Sequence, residues 1–202
     1  PKIHDFTAIP DDKKVLFSWG ITYLKDIYTS YIIERSENGT DFQPISSTPI
    51  VDMNGTSKKQ MFYATTLETN DTPYFFRIYG INAFGEKGIP SAPIKVQGIS
   101  ATTAVPRISD YNFINDGVEL IWEYPKEAEK ATEKFELWHN TKEDANYQKV
   151  VDNIKREDRK LIYKKLSVSN YFKIASVDKQ QKRHFSHSTL VQPSDSIPPA
   201  RP

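Results

Sequence analysis

The 202-residue sequence contains no cysteine. This absence excludes disulfides, thiolate nucleophiles and cysteine metal sites together. It is typical of a cytosolic protein, or of a surface protein whose domains are large enough to fold without covalent cross-links. We take the surface protein as the working hypothesis.

Long apolar runs and a large net charge are also missing. No stretch approaches the roughly 18 apolar residues needed to cross a bilayer, and the N-terminus has no basic stretch followed by an apolar one. We therefore expect no membrane insertion by this piece. The formal net charge is +1, with 38% hydrophobic and 12% aromatic residues. The chain can thus bury a core and lacks the composition of a disordered polymer.

Motifs of catalysis and metal binding are missing as well. The sequence has only 8 glycines, no Gly-rich phosphate loop and no G-x-S-x-G motif. Among its 4 histidines, His184 and His187 are three apart in an apparent strand, so their side chains point to opposite faces. We predict that the protein is not an enzyme and has no catalytic residues, no cofactor and no metal.

Charge is uneven within the second half of the chain. Residues 155–183 contain ten lysines and arginines against three acids, whereas residues 110–152 contain eleven acids and five lysines. This half is dipolar rather than basic, whereas a domain that binds nucleic acid is expected to be more basic overall. We predict no nucleic-acid partner and assign the lysines to solubility and the protection of strand edges.

Short apolar stretches with period-two alternation are what the sequence does have. The stretch 15–19 places Val, Phe and Trp19 at alternate positions, and the stretch 118–122 does the same with Val, Leu and Trp122. This pattern is typical of antiparallel strands with one buried face, so we predict that both tryptophans are buried. They lie 103 positions apart, and later strands recur at similar offsets, which indicates a degenerate internal repeat.

The repeat predicts two domains of a size that suits small sandwiches. We place the first at residues 1–100 and the second at residues 101–197, with 198–202 as a linker to a following domain. The chain begins at Pro1 without methionine and ends in a proline-rich stretch. We therefore expect a fragment of a longer protein.

One segment departs from the strand pattern. Residues 125–134 hold strong helix formers with opposite charges three or four positions apart. Ten isolated residues make only a marginal helix. We predict a helical turn in the loop between two strands.

The order of features over residues 3–97 resembles the fibronectin type III family. In that family a tryptophan ends the apolar alternation of the second strand, as Trp19 does here, and an aromatic opens the third strand, as Tyr31 does. The strongest match is the stretch 72–85, which looks like the family's tyrosine corner and sixth strand. The resemblance implies that the Tyr74 hydroxyl hydrogen-bonds the preceding corner and fixes that loop.

Residues 106–192 resemble the family less closely. Counting back from the end of the sixth strand puts Asn170 where Tyr74 stands in the first half, with Tyr171 beside it. Either Tyr171 takes over by a local shift, or this domain has no tyrosine corner.

The resemblance implies an all-β fold of two Ig-like, antiparallel β-sandwiches in tandem. The fold hosts adhesion, receptor and spacer roles, so we expect a non-catalytic, extracellular or cell-surface module that binds an unidentified protein or glycan, monomeric as excised. The alternative is a ligand-free spacer between the catalytic and anchoring domains of a secreted glycan-degrading enzyme. Asp195-Ser196-Ile197 resembles the O-glycosylation motif of Bacteroidetes surface proteins, and together with the lack of cysteine it favours a bacterial source.

The candidate binding site is the outer face of the first domain's sheet that contains the strands of Tyr31 and Phe76. If these two rings point inward, period two sends six other residues outward. These are Ile32, Glu34, Phe75, Arg77, Tyr79 and Ile81. Four of them are large and apolar, and an arginine beside aromatics is typical of interface hot spots. The alternative left open is that the second domain, a loop or lysine and arginine stems cover this patch.

Overall fold

The computed structural model describes residues 1–24, 26–51 and 59–192. The chain divides into two compact units, Pro1–Ile99 and Ser100–Pro202. The assigned linker 198–202 and the tripeptide at 195–197 lie outside the described residues. Whether the predicted domains 1–100 and 101–197 fold independently stays a prediction. No helix in the described ranges is long and apolar enough to cross a membrane.

The first unit forms two antiparallel sheets from eight strands within its described residues. The strands are β1 (Thr7–Asp11), β2 (Lys14–Gly20), β3 (Ser30–Ser36), β4 (Gln43–Pro44), β5 (Ile50–Val51), β6 (Gln60–Thr66), β7 (Tyr74–Ile81) and β8 (Ile94–Val96). One sheet has the order β1-β2-β6. The larger sheet has the order β4-β3-β7-β8, and β5 also pairs with β3.

The second unit repeats this arrangement in its described part. Its strands are β9 (Arg107–Ile114), β10 (Gly117–Glu123), β11 (Thr132–Asn140), β12 (Gln148–Lys155), β13 (Lys160–Tyr163), β14 (Asn170–Asp178), β15 (Arg183–Phe185) and β16 (Thr189–Val191). The smaller sheet has the order β13-β10-β9. The larger sheet has the order β12-β11-β14-β15, and β16 also pairs with β14.

A tryptophan lies between the two sheets of each unit, as the alternation predicts. Trp19 is fully buried, and its ring centre is 5.4 Å from that of Tyr31 on the facing sheet. Trp122 is buried in the same way, 5.7 Å from Phe135. The predicted burial of both tryptophans is confirmed. Side chains at the intervening positions point out of the sandwich, because successive residues of a strand face opposite sides of the sheet.

The predicted helical turn is a 3-10 helix at Lys126–Ala131. Ala128 and Ala131 are buried on one side of it. The Thr132 hydroxyl donates a hydrogen bond to the Ala128 carbonyl at 2.9 Å. Six residues are too few for a stable isolated helix, so packing of the two alanines and this hydrogen bond hold the turn.

The corner before the long central strand differs from the expectation. In the first unit the Tyr74 ring is buried with the Arg35 guanidinium 5.1 Å from its centre. The Tyr74 hydroxyl forms no hydrogen bond within the described ranges, so the expected tyrosine-corner bond is wrong. In the second unit Tyr171 does not take over: the buried Asn170 amide bonds the loop backbone instead.

Candidate functional site

The six predicted site residues lie side by side on one face of the first unit's larger sheet. The set is Ile32 and Glu34 on β3 with Phe75, Arg77, Tyr79 and Ile81 on β7. Ile32 is paired with Tyr79 and Glu34 with Arg77, and directly paired residues project from the same face. None of the six belongs to that unit's hydrophobic core. The predicted outward direction is therefore correct.

The expected exposure of this face is wrong for three of these residues. Ile32, Glu34 and Tyr79 are only 9%, 8% and 4% exposed, while the other three are half-buried. The Lys87 ammonium lies 5.4 Å from the Tyr79 ring centre. A cation with an apolar stem covers an aromatic ring well, so this side chain shields part of the patch.

Arg77 covers the middle of the same face. Its guanidinium pairs with the Glu34 carboxylate at 2.6 Å and lies 4.1 Å from the centre of the Phe42 ring. An arginine held on two sides in this way has little freedom to reach a partner. The stems of lysine and arginine thus cover part of this patch, and a binding role for the six residues stays a prediction.

The equivalent face of the second unit carries a different set of side chains. We call it the basic-aromatic face and define it by nine residues of β11, β12, β14 and β15. They are Lys134, Glu136, Trp138, Lys149, Asp152, Lys155, Lys173, Arg183 and Phe185. Trp138 is paired with Lys149 on one side and Lys173 on the other, and Lys134 is paired with Lys155.

Glu136 organises this face from a fully buried position. Its carboxylate accepts two hydrogen bonds from Arg183, at 2.8 and 3.1 Å, one from the Trp138 indole N–H at 3.1 Å, and one from Lys149 at 3.3 Å. Burial alone would raise the pKa of Glu136, but the hydrogen bonds from Arg183, Lys149 and Trp138 outweigh it and lower the pKa. The small Ala175 opposite Glu136 on β14 leaves room for the carboxylate.

A second carboxylate, Asp152, joins the lysines at the edge of the face. It accepts hydrogen bonds from Lys134 at 2.6 Å and Lys149 at 2.9 Å. These two bonds hold the pKa of Asp152 well below its ordinary value. Both acids of the face are therefore ionised and bound to its cations at neutral pH.

Aromatic rings lie between the cations. The Trp138 and Phe185 rings meet edge to face with centres 5.3 Å apart, and Phe185 is 40% exposed. The Lys173 ammonium lies 4.2 Å from the Tyr147 ring centre, and the Tyr147 and Ser188 hydroxyls share a hydrogen bond of 2.6 Å. Such a mixture of Trp, Tyr and Arg is typical of interface hot spots.

The sequence carries a local signal for this face. Phe135 and Leu137 are buried in the core, so the period-two rule applied to them sends Glu136 and Trp138 outward. The sequence does not show that Arg183 and Lys149 converge on one buried glutamate, because that pairing depends on strands far apart in the chain.

An open groove in the first unit brings together Asp5, Tyr23 and Phe62. The Asp5 carboxylate accepts hydrogen bonds from the Gly20 backbone N–H at 2.8 Å and the Tyr23 hydroxyl at 3.1 Å. Burial raises the pKa of Tyr23. Since both oxygens of Asp5 already accept protein hydrogen bonds, this group is a structural acceptor rather than a free general base.

No protein-family model and no curated protein sequence matches the chain. Solved structures are similar to it at low identity. The FN1–FN3 domains of chicken CNTN1 match 95% of the chain at 13% identity with a TM-score of 0.48, and the chain spans 66% of that structure. A two-domain fibronectin type III segment of chicken tenascin matches 95% at 13% identity with a TM-score of 0.39, over 99% of its own length.

A third similar structure is a beta-1,2-glucanase from Parabacteroides distasonis. It matches 50% of the chain at 14% identity with a TM-score of 0.40, and the matched part is 13% of that enzyme. The architecture of the chain itself is more informative. Each unit packs a three-stranded sheet on a larger sheet around one buried tryptophan. The chain therefore has the fold of two fibronectin type III domains in tandem.

Proposed function

We propose that the chain is a non-catalytic binding module of a secreted or cell-surface protein, and that it engages a macromolecular partner through the basic-aromatic face. The observation that carries this proposal is the Trp138–Phe185 ring pair, in which the half-buried Trp138 of the inner strand β11 meets the exposed Phe185 of the edge strand β15 on a charged sheet face. Exposed aromatic side chains surrounded by a polar rim are the usual anchors of protein interfaces.

The first unit supports the proposal by contrast. There the aromatic at the middle of the corresponding sheet face, Tyr79 on β7, is buried and lies beneath Lys87. In the second unit the cations lie beside the ring pair, because Glu136 draws Arg183 and Lys149 towards the sheet. The half-exposed rings therefore support the second unit as the proposed binding unit.

The experiment measures binding of the fluorescently labelled 202-residue chain to intact cells of the source organism by flow cytometry. We expect saturable binding that Trp138→Ala combined with Phe185→Ala weakens at least about tenfold, the order of loss that hot-spot truncation causes. The matched control is Phe113→Ala, because Phe113 is 43% exposed on the other sheet of the same unit. Equal saturable binding by all three proteins would overturn the assignment to this face, whereas no saturable binding would support the ligand-free spacer instead.

A further inference from the structure

We propose that the partner presents an acidic protein segment to the basic-aromatic face. This inference rests on the proposed function and adds the chemistry of the partner. It follows from which charges of the face are neutralised by ion pairs within the protein and which are not.

The face holds more cations than its acids neutralise. Lys134, Lys149 and Arg183 are bound to the two carboxylates, Glu136 and Asp152. A triad of cations around two acids retains one positive charge. The two acids of the face therefore leave this charge without a neutralising partner among themselves.

Two further lysines increase this excess. Lys155 and Lys173 form no ion pair within the described ranges. Lys155 is exposed at the edge strand, and Lys173 is half-buried above the Tyr147 ring. With these two the face has five basic residues against two acids, a formal net charge of about +3.

The positions of the cations suit an extended polypeptide. Lys155, Lys134 and Arg183 lie in one row across the strands, and Lys149 and Lys173 lie in a second row beside Trp138. The rows are four residues apart along β11, about 13 Å at the rise of a strand. An acidic segment crossing this distance places carboxylates on both rows and an apolar side chain on the Phe185 ring, which lies level with Glu136 between the rows.

The ring geometry favours a protein over a polysaccharide or a nucleic acid. Trp138 is fixed edge to face against Phe185, and its N–H is bound to Glu136. Bases stack on free, flat ring faces, whereas an edge-to-face pair offers a cleft that suits aliphatic and aromatic side chains. Acidic segments are commonly recognised by clusters of arginine and lysine.

The test is fluorescence polarisation with a labelled 20-residue poly-L-glutamate probe and the full 202-residue chain. Lys155→Glu combined with Lys173→Glu reverses the two cations that form no ion pair. The control, Lys160→Glu combined with Lys164→Glu, changes net charge equally at exposed positions at or beside β13 of the other sheet. We expect the face variant to lose at least about tenfold in affinity and the control to lose less than about threefold, because only local charge steers docking.

Equal losses in both variants would show that binding follows overall charge and would overturn the proposal. Tighter binding of heparin or of a single-stranded oligonucleotide, lost in the same face variant, would assign the face to another polymer and also overturn it. The cell-binding assay separates this inference from the proposed function. If Trp138→Ala with Phe185→Ala abolishes cell binding while the lysine reversals do not, the function stands and the acidic partner is wrong.

Discussion

Asn170 exchanges two hydrogen bonds with the backbone of Ser167, three residues before it. The Ser167 N–H donates to the amide oxygen at 2.8 Å, and the amide N–H donates to the Ser167 carbonyl at 2.8 Å. The same amide donates to the Val191 carbonyl at 3.2 Å, and its oxygen lies 3.0 Å from His139 Nε2. One fully buried side chain thus ties the loop before β14 to the strands on both sides.

Replacing this amide should weaken the second unit. Asn170→Ala removes two part-buried hydrogen bonds to the Ser167 backbone and one buried hydrogen bond to the Val191 carbonyl. A polar group left unsatisfied in a buried position costs about 1 to 3 kcal/mol. We expect the denaturant midpoint of that unit to fall, measured by urea unfolding of the full chain. Asn112→Ala is the control, since Asn112 is exposed on β9 and should change stability by less than about 0.5 kcal/mol. An unchanged midpoint in Asn170→Ala would mean that water replaces the amide without loss.

Tyr28 and Gly80 form a tight contact that glycine alone permits. A Cβ on Gly80 would lie 2.2 Å from the Tyr28 ring, at the ring atoms nearest the backbone. Gly80→Ala should therefore destabilise the first unit by about 1 to 3 kcal/mol through overpacking. In a double-mutant cycle, Gly80→Ala should cost much less in a protein that already carries Tyr28→Ala, because the ring that the new Cβ would contact is then absent. Additive losses would argue against the contact as the cause.

The core tryptophans should stabilise their units through the volume that their rings fill rather than through a hydrogen bond. Their indole Nε1 atoms are buried without a hydrogen-bond partner in the described ranges. Trp19→Ala and Trp122→Ala should each cost about 3 to 5 kcal/mol, whereas the Phe substitutions lose no hydrogen bond and should cost clearly less. Thermal unfolding followed by circular dichroism ranks the wild type, the phenylalanine variant and the alanine variant by stability. A phenylalanine variant as unstable as the alanine variant would reveal a polar role for the indole.

Each unit should unfold on its own. Each encloses a separate core around its tryptophan, so residues 1–100 expressed alone should give a cooperative transition and dispersed amide signals in an NMR spectrum. An unfolded product would show that the first unit depends on the rest of the chain.

The Glu136 cluster should make the second unit sensitive to acid. The pKa of Glu136 is below its ordinary value of 4.5 in the folded protein, so its contribution is fully present above about pH 4.5 and is lost as pH falls through the folded pKa. Glu136→Gln should lower the urea midpoint at pH 7, with a smaller difference from wild type at pH 3. Glu123→Gln, on an exposed ion pair, should behave as wild type at both pH values. A pH-independent difference for Glu136→Gln would assign the loss to packing.

The period-two alternation of the sequence determined which side chains enter the core. It predicted the burial of Trp19 and Trp122 and the outward direction of Ile32 and Tyr79, because neighbouring residues of a strand must face opposite sides of the sheet. The turn at Lys126–Ala131 was predictable for a similar reason, since its helix formers are local in sequence. These features depend on residues that are close together along the chain.

Only the tertiary structure decided what covers each outward side chain. Lys87 shields Tyr79, and Arg183 and Lys149 converge on Glu136. These partners come from different strands, some 47 positions apart in the case of Glu136 and Arg183. The same holds for Asn170, whose amide replaces the expected tyrosine by bonding backbone groups that the fold brings to it. Side-chain pairing across strands depends on register and on rotamers, which period-two alternation does not specify.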